Sequence, residues 1–363
     1  MSQPATARRE QLKPPVTHIG VIGWLRTNLF NTWYNSILTV FAVALLVWLV
    51  PPLFQWAFVD SLWNSSSEAC RNIDGACWSV IPKNIKFIFF GFFPQGQEWR
   101  PALAMFLLLA LVFYSKERTR WKKSLGWTWL ISLIIMGTLM YGGILGMPVV
   151  ETSQWSGLPL TMMLSFFGMV AAYPLGVLLA LGRRSKMPAI KTLCVVYIEM
   201  IRGVPLISLL FMSSIMFPLF LPEGVTIDKV LRAQIAIILF TAAYIAEVVR
   251  GGLQAMPRGQ YEAADSLGLN YNQTMRLIIL PQALKIVIPP TVGILLSAFK
   301  DTSLVVIIAL YDVLKTTKVA LSNPKWTGYS TEAYVFLAVL YFIFCYAMSS
   351  YSRRLEKEFD TGH

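Results

Sequence analysis

Residues 36–59 read SILTVFAVALLVWLVPPLFQWAFV. These 24 residues include no Asp, Glu, Lys or Arg, and their only polar side-chain groups are those of Ser36, Thr39, Gln55 and two indole nitrogens. A helix rises about 1.5 Å per residue, so about 20 apolar residues cross roughly 30 Å of hydrocarbon. A soluble core is built instead from short apolar stripes. Segments 125–147 and 158–181 have the same character as 36–59. The expected fold is an all-α polytopic membrane protein with about eight transmembrane helices. The expected spans are 36–59, 101–115, 125–147, 158–181, 192–221, 231–249, 286–308 and 332–350. The second is short. The fifth is too long for one straight span, and Gly203-Val204-Pro205 breaks it because proline has no N–H for the helix ladder. Its first part, 192–202, carries Glu199 and Arg202 and is expected to lie along the inner surface.

The composition of all 363 residues agrees: 56% are apolar or aromatic and 14% are charged, against about 25% charged in soluble domains. The net charge of +12 would suit a nucleic-acid binder, but the cations sit in clusters between apolar runs. Arg8, Arg9, Lys13 and Arg26 precede the first run. Lys116, Arg118, Arg120, Lys122 and Lys123 follow the second, and Arg183, Arg184, Lys186 and Lys191 follow the fourth. Such clusters mark cytoplasmic loops. They predict both termini inside, segments 60–100 and 148–157 outside, contact with membrane lipid and none with nucleic acid. About 30 polar and mixed residues precede the first run, which is longer than a signal h-region and lacks an obvious small-residue cleavage site, so it reads as an uncleaved first span.

The two histidines, His18 and His363, lie near the termini, which argues against imidazole catalysis or metal binding inside the bundle. Cys194 and Cys345 have apolar neighbours and are expected to pack as small hydrophobes. Cys70 and Cys77 share the polar loop. In an oxidising compartment they form a disulfide, and otherwise they are two free thiols.

The inner loop 250–285 opens RGGLQAMPRGQYEAADSLG and continues to Ile278-Ile279-Leu280-Pro281. Segment 260–267 reads as a short helix that Gly268 ends with a left-handed cap. Asn270, with Gln273 three residues on, reads as the capping box of a second helix, which Pro281 bends or ends. Small Ala263 and Ala264 permit close approach of another surface, and Glu262 offers an acceptor to a basic partner. The plain structural reading is a solvated helical loop with a glycine cap.

The full string is more specific. Glu262-Ala263-Ala264, Gly268, nine intervening residues, then Ile278-x-Leu280-Pro281 resembles the EAA loop of ABC importer permeases. The resemblance implies that Glu262, Ala263, Ala264 and Gly268 form a coupling helix docking on a cytoplasmic ATPase. Further stretches resemble the polar amino-acid subfamily: 197–206, with Val204 where the family often has Thr, and 242–247, 280–284 and 299–304. The likeness covers roughly 155–355, a five-helix permease core. Residues 1–154 add three helices and an outer loop, as in the larger permeases of broad-specificity L-amino-acid importers, and 356–363 form a cytoplasmic tail.

The resemblance implies a permease subunit that, with a second related permease, forms the path for L-amino acids across the bacterial inner membrane. Two ATPase subunits would carry ATP and Mg, and a periplasmic binding protein would deliver substrate. No Gly-Lys dipeptide occurs, so a Walker A loop is absent. The chain is expected to be no enzyme and to bind no cofactor or metal itself.

Lys300 and Asp301 interrupt the seventh span, where a lone charge costs about 2.5–3.5 kcal/mol on insertion scales. Two readings stand. One places them beside the path of a zwitterionic substrate, with Thr302 and Ser303 adding hydroxyls. The other makes them a packing or gating ion pair, with Glu247 or Arg250 as partner. Glu247 is either a gate contact or a snorkelling side chain, and Arg202 joins the path or gating set. Gly168, Pro174 and Gly176 loosen the fourth span, and Pro289-Pro290 bends the seventh. Two competing functions remain: an ion-gradient-driven secondary transporter, for which no inverted repeat is detected, and a membrane assembly protein without transport activity.

Overall fold

The computed structural model describes residues 20–359. The expectations for Arg8, Arg9, Lys13, His18 and His363, and for the last four residues of the tail, lie outside the described residues. The chain divides into two compact units between Ser79 and Val80.

The first unit holds α1 (Gly20–Asn28), α2 (Trp33–Phe54) and α3 (Ser67–Cys70). The Thr32 hydroxyl caps α2 by accepting from the Asn35 N–H. A π turn, Gln55–Val59, continues α2 past the Pro51-Pro52 pair. Cys70 and Cys77 are bonded to each other across a Cα separation of 5.6 Å. Trp63 stacks on Trp78 at 5.7 Å, and the Trp78 indole donates to the Ala57 carbonyl at 2.7 Å.

The second unit begins with α4 (Val80–Phe90), α5 (Trp99–Ser115), α6 (Lys123–Tyr141) and α7 (Gly157–Arg183). Next come α8 (Pro188–Gly203) and α9 (Leu206–Phe211), the latter extended by π and 3-10 turns to Phe220. α10 (Lys229–Ala255) leads into α11 (Arg258–Ser266), α12 (Tyr271–Gln273), α13 (Leu280–Ile286) and α14 (Ile288–Asp301), which a 3-10 turn extends to Ile308. The two-residue β1 (Tyr311–Asp312), α15 (Val313–Leu321) and α16 (Ser330–Phe359) complete it.

Among the described residues, six helices are long and apolar enough to cross a membrane: Trp33–Val59, Lys123–Tyr141, Gly157–Arg183, Lys229–Ala255, Ile288–Ile308 and Ser330–Lys357. The pair Pro188–Gly203 and Leu206–Phe220 forms a further broken span bent by 106° at the predicted Gly-Val-Pro break. Trp99–Ser115, with 17 residues, stands where the short second span was expected. α6 stops at Tyr141, before Gly142-Gly143, and not at Met147. α10 runs six residues beyond its expected end at Val249, to Ala255. Arg250 does not end it, because its guanidinium folds back onto Glu247 one turn earlier. Pro281 does not end its helix either. A π turn, Thr274–Ile279, precedes it and the helix continues to Ile286; the wider turn makes room for a ring that would collide with a regular one.

α7 and α10 form the centre of this unit. Ala172, Ala180, Ala242 and Ala246 are fully buried. A Cβ at Gly176 would sit 2.7 Å from the Ile245 side chain, and one at Gly168 3.0 Å from Ile237. Small residues let the backbones approach, as in membrane helix pairs generally. The expectation that Gly168, Pro174 and Gly176 loosen this span is therefore corrected: α7 is one unbroken helix, and the two glycines tighten its contact with α10.

Where α7 begins, a backbone clamp closes the bundle. Ser156 and Gly157 bridge to Tyr311 and Asp312. The Phe92 N–H donates to the Ser156 hydroxyl at 2.7 Å, the Thr316 hydroxyl donates to the Ile88 carbonyl at 2.7 Å, and the Val313 N–H donates to the Thr161 hydroxyl at 3.1 Å. α4 packs on α7 and α15, and α5 on α6 and α7.

Candidate functional site

The hairpin between α10 and α14 is built from its caps. The Gly268 N–H donates to the Asp265 carbonyl at 2.9 Å, and the Leu269 N–H to the Ala264 carbonyl at 3.2 Å. Gly268 has φ +72°, the left-handed geometry that closes a helix. The Asn270 side chain accepts from the Gln273 N–H while the Gln273 side chain accepts from the Asn270 N–H, both at 3.0 Å. The Gln282 amide then donates to the Gln260 side chain at 3.1 Å, tying α13 to α11. Arg184, at the end of α7, donates to the Leu253 carbonyl and to the Tyr261 hydroxyl at 3.2 and 3.1 Å.

This framework sorts the four hairpin residues. Glu262, Ala263 and Gly268 are exposed, whereas Ala264 is completely buried. Ala264 was expected to admit another protein's surface. Instead it packs inside this chain, because α11 lies against the π turn of the following helix. The free face of the hairpin is formed by Glu262, Ala263, Gly268 and the exposed side chain of Leu267.

Above the hairpin lies a charged cluster joining α7, α8 and α10. The Glu247 carboxylate receives Arg250, with Nε at 3.0 Å and Nη2 in a shorter contact, Arg183 at 3.4 Å and Arg202 at 3.6 Å. Glu199 pairs with Arg183 at 2.9 Å and lies 4.0 Å from Arg202. The Arg202 guanidinium also lies over the Tyr244 ring, 5.7 Å from its centre. Three cations thus share two carboxylates at the end of the bundle that carries the hairpin.

The pairing proposed between Lys300 or Asp301 and Glu247 or Arg250 is corrected. Among the described residues, the partners of Glu247 are Arg183, Arg202 and Arg250. Asp301 instead lines a cavity of about 380 Å³ between α9, α10 and α14, with Thr241, Tyr244 and Ser297. Lys300 is exposed and does not line it. Thr302 is buried and its hydroxyl donates to the Phe299 carbonyl at 2.7 Å; the Ser303 hydroxyl donates to the Lys300 carbonyl at 2.9 Å. Both hydroxyls cap the end of α14, so of the four residues 300–303 Asp301 is the one that meets the cavity.

In the sequence Arg183 reads only as part of a basic cluster, Tyr244 only as part of the 242–247 stretch, and Asp312 as no site residue. Asp312 accepts from the Leu314 and Lys315 N–H groups at 3.2 and 3.0 Å. An acidic residue just before an apolar helical segment is a legible capping signal. Nothing local marks Arg183, because its partners are 16 and 64 residues away. No group of three or more His, Cys, Asp or Glu among the described residues could hold a metal ion.

These features define a polytopic helical membrane subunit with a capped hairpin at one end and a polar cavity beside its central helices. Residues 172–360 match the family of binding-protein-dependent transport system inner membrane components, and the chain belongs to that family. It is 49% identical, over 93% of each chain, to the inner membrane amino-acid ABC transporter permease protein YhdY of Escherichia coli K12. It is 38% identical, over the whole of both chains, to the glutamate/glutamine/aspartate/asparagine transport system permease protein BztC of Rhodobacter capsulatus. A crystal structure of an amino acid ABC transporter with histidines superimposes with a TM-score of 0.50 at 30% identity, covering 56% of this chain and 92% of that one.

Proposed function

We propose that the chain is a transmembrane permease subunit of an ATP-driven ABC importer, and that it forms with a second related permease the inner-membrane path for L-amino acids. The observation that carries this reading is the free face of the capped hairpin, rooted by buried Ala264 and presenting Glu262, Ala263 and Gly268. A cytoplasmic ATPase, one of two subunits, docks there; ATP and Mg belong to it. A periplasmic binding protein delivers substrate to the opposite side. Both termini of the chain lie in the cytoplasm. Force on the hairpin passes through Gln260–Gln282 into α13 and through Arg184 into α7. The Glu247 cluster keeps α7, α8 and α10 together as they move. Asp301, beside Thr241 and Ser297, offers a carboxylate to the ammonium group of a passing substrate.

Uptake of radiolabelled amino acids in a strain lacking the chain tests the function, with re-expression restoring uptake and Asp301→Asn lowering it. Glu262→Lys is expected to abolish co-purification of the ATPase while leaving the chain in the membrane. Labelling of a single cysteine at Ser266 by a membrane-impermeant thiol reagent in intact cells would put the hairpin outside and end this reading.

A further inference from the structure

The turn between α7 and α8 faces the start of α12 across a cavity of about 790 Å³. Its walls are of two kinds. Leu181, Met187, Ile190 and Leu280 form an apolar side supplied by the ends of membrane helices. Lys186 and Arg276 bring two cations, beside the neutral polar Ser185, Tyr271 and Asn272, and no acidic residue lines it. Both cationic residues are exposed, and among the described residues neither forms an ion pair within the chain. The contrast with the neighbouring Glu247 cluster is direct, because there every arginine has a carboxylate. The cavity shares no lining residue with the one beside Glu262 and Tyr261.

An amphiphilic slot lined by unpaired cations and by apolar side chains has the chemistry of one kind of ligand. Basic pockets between membrane helices at the headgroup level bind anionic lipid heads. We propose that this cavity binds an anionic phospholipid, its phosphate between Lys186 and Arg276 and its acyl chain along Leu181, Met187, Ile190 and Leu280. The apolar face of α8 supports this occupant. Leu193, Val196 and Met200, at spacings of three and four residues, are 71%, 55% and 58% exposed, so the slot opens beside a surface that itself needs lipid. The bound lipid spans α7–α8 on one side and α12–α13 on the other, and so couples the composition of that leaflet to the seating of the hairpin.

Native mass spectrometry of the full chain in neutral detergent tests this, with phosphatidylglycerol titrated against phosphatidylcholine. The wild type is expected to retain the anionic lipid preferentially. The double variant Lys186→Ala/Arg276→Ala should lose about fivefold in that preference per cation removed, roughly 25-fold for the pair. The exchange Lys186→Arg/Arg276→Lys should keep it, as should Lys122→Ala/Lys123→Ala, which lies outside the cavity. The retained exchange variant separates loss of binding from loss of folding. An unchanged preference in the double alanine variant would overturn the proposal. So would displacement of the lipid by excess inorganic phosphate, which would make the site one for a free anion. Loss of the lipid whenever the ATPase co-purifies would reassign the cavity to that protein.

Discussion

Gly157 and Gly268 have almost the same backbone geometry, φ +70° and +72°, and opposite surroundings. A Cβ at Gly157 would lie 2.1 Å from the Phe89 carbonyl oxygen, whereas one at Gly268 would meet nothing within 4 Å. Gly157 stands in the clamp where α7 begins, among backbone bridges and buried hydroxyl bonds. Gly268 stands on the open hairpin beyond the end of α10. The first glycine is required for its missing volume and the second for its backbone freedom alone. One end of the bundle is therefore a fixed joint. The other is held by side-chain ion pairs, which under the proposed function leave it free to be moved. Alternating access driven from the hairpin end would pivot about the clamp.

The sharpest way to break this comparison is to fill the clamp. Gly157→Ala adds a methyl against a carbonyl and forces a left-handed alanine. The expected cost is about 3 kcal/mol or more, read as a fall in thermal midpoint of the chain in detergent or as loss of expressed protein. An unchanged midpoint would mean that the clamp yields and is no pivot.

The clamp should also carry a pH dependence of its own. Burial pushes the Asp312 carboxyl up from its ordinary 3.8 to about 6, against the opposing pull of the Lys315 and Leu314 N–H groups and the charge of Lys318. Between those values the folded chain holds a proton that the unfolded chain has released. Stability is then greatest below pH about 4 and falls as pH rises through about 6, by an amount on the order of 3 kcal/mol. Asp312→Asn keeps an acceptor for the helix cap and removes the charge. Its midpoint should be flat across that window where the wild type slopes downward. Parallel slopes for the two proteins would assign the titration to another group.

Smaller again is the effect expected at the charged cluster. Glu247→Gln leaves three guanidiniums around a neutral amide. Its partners are one-quarter to one-third exposed, so the cost is reduced from the buried-pair range to about 1–2 kcal/mol. Glu199→Gln, at a carboxylate 53% exposed, should cost under about 0.5 kcal/mol. Equal midpoints for the two variants would show that the cluster has no centre.

Much of this contrast could be read before the fold was known. The apolar runs, the Gly-Val-Pro break, the Gly268 cap and the Asn270–Gln273 capping box are local patterns, and each has its counterpart in the structure. Misjudged features were those that depend on which helix lies opposite. Gly176 reads as a weak point in isolation and as a tight contact once Ile245 faces it. Arg250 reads as the end of a span until Glu247 neutralises it within the helix. Ala264 reads as a docking surface until the next helix covers it. Of the four polar residues at the end of α14, only geometry could single out Asp301, because one helical turn separates a cavity wall from a sealed cap.

A small effect on folding is also expected at Gly268, which makes it a clean probe of what the hairpin is for. Asn tolerates the left-handed region better than other residues with a Cβ, and no atom obstructs one here. Gly268→Asn should therefore shift the thermal midpoint by less than the equivalent of about 1 kcal/mol. If the hairpin face docks on an ATPase, the added side chain projects into that contact, and co-purification should fall several-fold while the isolated chain stays as stable as the wild type. If stability and co-purification fall together, Gly268 acts only as a helix cap and the open end is no freer than the clamped one. Should both stay at wild-type levels, Gly268 lies outside the docking face, and the contact narrows to Glu262 and Ala263.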